Sequence, residues 1–208
     1  MTSRNAAAPV AQMALATSIV VAAYFVATDA FEYLSSVTPT VYGRFWSVRD
    51  QLYVHVMAGG IALIVGAIQL CLVFLRRTSL VHRWNGRVYA MAVLVSSAAA
   101  LSIFRKGSVF GLTWVALLVT LALCALVFTA FGVIEARRRH WQRHSAWMLR
   151  SYMAMMVFAW FRLAWELPVL HALPGGSRAA ALLAATMLIT FTVTELILAR
   201  TSRRLRGN

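Results

Sequence analysis

Six apolar stretches, most of them about as long as a membrane is thick, dominate this chain. They run from Pro9 to Thr28, Tyr53 to Leu75, Val88 to Phe104, Leu112 to Ile134, Trp147 to Phe161 with a continuation to Leu167, and Ala179 to Leu198. A helix rises ~1.5 Å per residue, so ~20 apolar residues cross the hydrocarbon layer. In lipid every backbone N–H and C=O must be paired within the protein, and a helix does this by itself. The expected fold is therefore all-α: an integral membrane helical bundle of six transmembrane helices in a single domain over residues 1–208. Helices two to five (residues 53–167) form a four-helix core, flanked by helices at 9–30 and 179–199. The third stretch is the shortest and the fifth carries Arg162 before its end, so both must be held by neighbours or by the interface.

Composition agrees, with 61% hydrophobic and 12% charged residues against about a quarter charged in soluble domains. A formal charge of +14 would in a soluble protein suggest nucleic acid, but here the basic residues follow the loops. Fourteen arginines collect on one side of the spans, from Arg4 through Arg76, Arg77, Arg83, Arg87, Arg137–139, Arg143 and Arg150 to Arg200, Arg203, Arg204 and Arg206. The other side has Arg44, Arg49, Arg105, Lys106 and Arg178. Positive residues mark the cytoplasmic face, which puts both termini inside. The partner implied is the lipid bilayer, with no nucleic acid. The first stretch lacks a small-x-small cleavage site before Asp29 and reads as a membrane anchor, not a leader peptide. Cys71 and Cys124 sit singly in apolar runs and read as packing residues.

One polar phrase occurs twice. "HRWNGRVY" opens the third helix with His82, and "HSAWMLRSY" opens the fifth with His144. In a four-helix core these helices are diagonal, so the two histidines face each other near the cytoplasmic end. His82, Gly86 and Tyr89 share one helical face, and His144, Met148, Tyr152 and Met155 share another. In helix two, His55, Gly59, Ala62, Gly66 and Gln69 form a small-or-polar stripe that should face protein. Glycine follows histidine at i+4 in two places, Gly59 after His55 and Gly86 after His82. This either leaves room for a flat group such as a porphyrin or lets helices pack closely. Arg83, Arg87 and Arg150 near the histidine pair repel a bare cation and suit the carboxylates of a haem. His140 and His144 have zinc-like spacing but lack thiolate or carboxylate partners beyond Glu135. Arg162, about 27 Å further along the helix than His144, forms an expected outer polar site with Glu166 and His55, suited to a second cofactor edge, a quinone or a small anion. Its structural alternatives are ion pairs with Glu166, Asp29 or Glu32. Glu195 is a candidate partner for an inner arginine.

The phrases "YVHVMAGGIALIVGAIQL", "LVHRWNGRVYAM" and "QRHSAWMLRSYMAMMVFAWFRL" resemble the bacterial multipass membrane family catalogued as domain of unknown function 2306, over about Tyr53 to Leu163. The resemblance picks out His55, Gly59, His82, Arg83, Gly86, Arg87, Tyr89, His144, Trp147, Met148, Arg150, Ser151, Tyr152 and Arg162, and implies a multipass protein of the bacterial inner membrane. It supplies no activity. In architecture the chain also resembles transmembrane dihaem cytochromes of the ascorbate-reducing type, in which helices two and four share one haem and helices three and five the other. That likeness implies His82 and His144 as axial ligands of one haem b; on the haem reading Tyr89 and Tyr152 are expected to hydrogen-bond around the site. His55 matches a ligand of the outer haem, but helix four reads "FGLTWVALL" and offers no outer histidine. An outer haem would need a substitute such as His171 or be absent.

Three functional classes follow. The first is a haem-binding electron-transfer protein served by a quinone or a soluble donor. The second is a cofactor-free protein that binds or transports a small anion, lipid or quinone. The third is a structural or regulatory bundle, and an oligomer is compatible with each. Whether the protein is an enzyme stays open, although no serine or cysteine is set with a base and an orienting carboxylate.

Overall fold

The computed structural model describes residues 7–74, 80–104, 111–167 and 175–206. All regular structure among them is helical. Six long helices correspond to the six apolar stretches: α1 (Ala7–Phe25), α4 (Arg49–Phe74), α5 (Leu80–Phe104), α6 (Leu112–Arg137), α7 (Trp141–Trp165) and α8 (Gly175–Arg206). The first continues through a π-helical turn, Val26–Ala30, into a short α2, Phe31–Ser35. Between it and α4 lie α3, Pro39–Tyr42, and a 3₁₀ turn, Gly43–Val48. This segment was not foreseen as helical. Thr38 starts α3, its hydroxyl accepting from the Val41 N–H at 3.4 Å, with Pro39 in the first turn, a common helix-starting arrangement.

Packing runs α4 against α5, α5 against α6, α6 against α7 and α7 against α4. The ring makes α5 and α7 diagonal, as expected for the four-helix core. Outside it, α1 lies on α4 and α7, while α8 lies on α6 and α7. Four helices therefore surround α7. Ser151, Tyr152, Met156 and Val157 are adjacent pairs in sequence and all are buried, which a helix buried on one face alone would not show.

Among the described residues, five segments are long and apolar enough to cross a membrane by length and composition: Ala16–Ser35, Pro39–Val73, Leu80–Phe104, Leu112–Arg137 and Arg178–Ser202. The exception is α7, with Arg143, Arg150 and Arg162. Its position inside the bundle helps to accommodate it, because Arg150 meets Glu195 on α8 and Arg162 meets Asp29 beyond α1, while Arg143 is exposed near its start. The other helices point small residues inward and large ones outward. On α4, Ala58, Ala62 and Ala67 are buried while Ile61, Ile64 and Ile68 are exposed, the arrangement expected when helices associate by close packing in lipid.

Two tryptophans near helix ends, where such residues often anchor a span at the interface, belong to the packing between helices. Trp147 lies 5.0 Å from Phe131 and 5.7 Å from Phe128, centroid to centroid. Trp114 is buried, with its ring 5.4 Å from Phe161.

Candidate functional site at the arginine-rich end

The turn between α6 and α7 sets the position of His144. The His140 N–H donates to the Glu135 carbonyl at 2.9 Å and the Arg139 N–H to the Ala136 carbonyl at 3.1 Å. This is the hydrogen-bond pair of a Schellman helix end, which usually places glycine in the left-handed position. Here that position is Arg139, at φ 61°. The chain reverses within three residues, and His140 caps α7. The His140 Nδ1 lies 2.8 Å from Glu135 Oε2, so His140 is tied to α6 and does not converge with His144.

His144 reaches back across the hairpin, its Nδ1 lying 2.8 Å from the Gly132 carbonyl. Only a protonated Nδ1 can bond there, which leaves Nε2 with its lone pair. His82 lies in the first turn of α5, on the diagonal helix at the same end. Its main-chain carbonyl accepts from Gln69 Nε2 at 2.8 Å. The two histidines of the expected inner pair thus open diagonal helices at the same end of the bundle.

His55 is elsewhere. Its Nδ1 is 2.9 Å from the Ser96 carbonyl, and the Ser96 hydroxyl donates to the His55 carbonyl at 3.1 Å. Ser96 is fourteen residues beyond His82 on α5, about 21 Å along the helix. His171 lies outside the described residues.

The glycines do not open a cradle. A Cβ on Gly59 would lie 3.2 Å from Ser96 Oγ, and one on Gly86 3.0 Å from Gln69 Nε2. One on Gly66 would lie 2.6 Å from Tyr152 Cε2 and 3.0 Å from Tyr89 Cε2. Of the two readings of these glycines, the close approach of protein side chains is the one observed.

Tyr89 and Tyr152 are both buried but differ in their bonds. Thr129 donates to the Ala125 carbonyl at 2.7 Å, so its one proton is committed. The Ser151 hydroxyl, 2.6 Å away, then donates to Thr129, and Tyr89 donates to Ser151 at 2.8 Å. A one-way hydroxyl chain links the diagonal helices α5 and α7 to α6. The Tyr152 hydroxyl has no partner among the described residues.

The arginines differ too. Arg150 donates from Nε and Nη2 to both carboxylate oxygens of Glu195, at 2.6 and 2.8 Å, and lies over Trp147. The expected role of Glu195 as partner to an inner arginine is observed, and Arg150 is correspondingly less free to bind a ligand carboxylate. Arg83 and Arg87 are exposed, Arg87 stacking on Trp84.

At the opposite end, Arg162 pairs with Asp29, donating from Nε at 2.6 Å and approaching with Nη2 as well. Its guanidinium is taken by Asp29 and not by Glu166, the C-cap of α7 one turn on. Arg162 and Glu166 nonetheless line one cavity of about 270 Å³ with Tyr24, Asp29 and Glu32. His55 does not line it. Three carboxylates against one guanidinium disfavour the small anion expected there.

Among the described residues no three His, Cys, Asp or Glu side chains converge as a metal site. Gly132, Thr129 and Ser96 went unnoticed in the sequence, although a glycine, a threonine and a paired serine within apolar helices were visible signals.

The family described as predicted membrane protein (DUF2306) matches residues 52–200. The chain belongs to that family. The match covers most of α4 to α8 and so includes His55, His82, His144 and Arg162, extending past the Tyr53–Leu163 phrases into α8. Asp29 lies before it. No curated protein and no solved structure matches the chain.

Proposed function

We propose that this DUF2306 protein binds one b-type haem between His82 and His144 and transfers electrons at the cytoplasmic face of the bacterial inner membrane. The observation that carries the reading is the donor set: two imidazoles in the first turns of diagonal helices, at the same arginine-rich end of the bundle. His144 donates its Nδ1 proton to Gly132, which leaves Nε2 able to bind iron, as second-shell carbonyls commonly arrange for ligating histidines. Arg83 and Arg87 would balance the haem carboxylates, with Arg150 held back by Glu195. The haem would supply one-electron chemistry, and the exposed basic face would meet an anionic soluble donor or the head of a quinone.

A cofactor-free bundle is the second reading. The filling of Gly59, Gly66 and Gly86 by neighbouring side chains favours it.

A reduced-minus-oxidised absorption spectrum of protein purified in mild detergent, after expression with ample haem, separates the two. The haem reading expects low-spin b-type bands that His82→Ala and His144→Ala each abolish and that His171→Ala leaves intact. Absence of bands, or bands indifferent to His144→Ala, overturns it.

A further inference from the structure

The three histidines described in the core follow a pattern with one exception. His55 and His144 each place Nδ1 against a main-chain carbonyl of the next helix, at 2.9 and 2.8 Å. The Nδ1 of His82 is buried with no partner among the described residues. Two other buried atoms share that condition nearby, Gln69 Oε1 and Tyr152 Oη.

These atoms belong to one neighbourhood. Gln69 touches His82 through its amide nitrogen, so its oxygen lies within one carboxamide of the His82 backbone. That orientation of the amide is required, since the reverse would set two oxygens against each other. The Tyr152 ring rests on Gly66, one turn before Gln69 on α4. Side chains tilt toward the N-terminus of their helix, which for α7 is the arginine-rich end, so the Tyr152 hydroxyl points from Gly66 toward Gln69. Tyr152 is 2% exposed, and a hydroxyl so deep is costly to leave unmet.

We propose that a single internal water binds between His82 Nδ1, Gln69 Oε1 and Tyr152 Oη and accepts a hydrogen bond from a protonated His82 Nδ1, the ring nitrogen that faces a carbonyl in the other two histidines. Three partners match the usual coordination of a buried water, about three hydrogen bonds. The water accepts from the Nδ1–H of His82 and from the Tyr152 hydroxyl, and donates to Gln69 Oε1. An organic ligand fits less well, because Tyr152, Tyr89 and Gln69 already fill the notches at Gly66 and Gly86. With the water in place His82 has the same tautomer as the other two histidines: Nδ1–H fixed, Nε2 free. Gln69 and Tyr152 become positioning residues for His82, acting through the water where His144 uses a carbonyl.

Solid-state NMR on ¹⁵N-histidine-labelled protein in lipid bilayers tests this by polarisation transfer from water to the His82 Nδ1. Wild-type protein is expected to show the transfer to a protonated Nδ1, Gln69→Leu to lose it and Tyr152→Phe to weaken it. No transfer in the wild type overturns the proposal, as does transfer undiminished in Tyr152→Phe. A dry, direct bond from His82 Nδ1–H to Gln69 Oε1 overturns it equally. Should Gln69→Leu fail to fold, Tyr152→Phe decides alone, since it keeps the ring on Gly66. Protein without haem bands gives the same NMR answer, so this proposal and the haem reading fail separately.

Discussion

Arg162 and Asp29 join the last turn of α7 to the π-helical turn after α1, with two guanidinium nitrogens directed at one carboxylate oxygen. The pair fastens a helix outside the four-helix core to the helix at the centre of the bundle. Removing one partner leaves the other charge without its counter-ion, so Arg162→Ala should cost ~1–3 kcal/mol, below the loss for a fully buried pair because Arg162 keeps some water. Arg162→Gln combined with Asp29→Asn should recover most of that. Thermal unfolding in one detergent checks it; a double variant no more stable than Arg162→Ala contradicts the assignment.

Gly66 and Gly132 both lie against side chains, but the neighbours differ in stiffness. A methyl at residue 66 meets two buried tyrosine rings, whereas one at residue 132 meets the thioether of Met148. Overpacking a rigid site costs ~1–3 kcal/mol, and methionine adapts more readily. Gly66→Ala should lower the unfolding temperature clearly and Gly132→Ala less. Equal losses would show that Met148 cannot move.

The hydroxyl chain has a direction, and that makes its substitutions unequal. Ser151→Ala removes the acceptor of Tyr89 and the donor to Thr129 together, leaving a buried phenol unmet at ~1–3 kcal/mol. Tyr89→Phe removes only the first donor and should cost less. In the double variant the two losses should fall short of additive, which a double-mutant cycle on unfolding free energy measures.

Arg139 adopts the left-handed conformation in the turn before α7, at ~1–2 kcal/mol for a residue with a Cβ. Arg139→Gly should raise the unfolding temperature and Arg139→Val lower it. If haem binds, the haem-to-protein ratio should follow neither change, provided the turn keeps its hydrogen bonds.

What could be read from the sequence was what helical periodicity controls. The diagonal placement of His82 and His144 followed from counting apolar stretches and noting which ends carry arginine. The partner of each polar group was less legible, because it comes from a different helix. Spacing offered Glu166, Asp29 or Glu32 to Arg162, and the choice of Asp29 depends on an extra-wide turn that no periodicity announces. The glycines were legible as sites of close approach, but not what approaches them: Ser96, Gln69 and two tyrosine rings arrive from other helices.

The central position of α7 bears on how this protein is made. A segment with three arginines has little reason to leave the insertion machinery for lipid by itself. It must enter beside α6, to which a three-residue reversal couples it. Yet α8, which packs on α7, is synthesised afterwards. Until α8 arrives, Arg150 lacks Glu195 and one flank of α7 lies open. Between those two moments the nascent protein should depend on the insertion machinery to shelter this arginine-bearing helix.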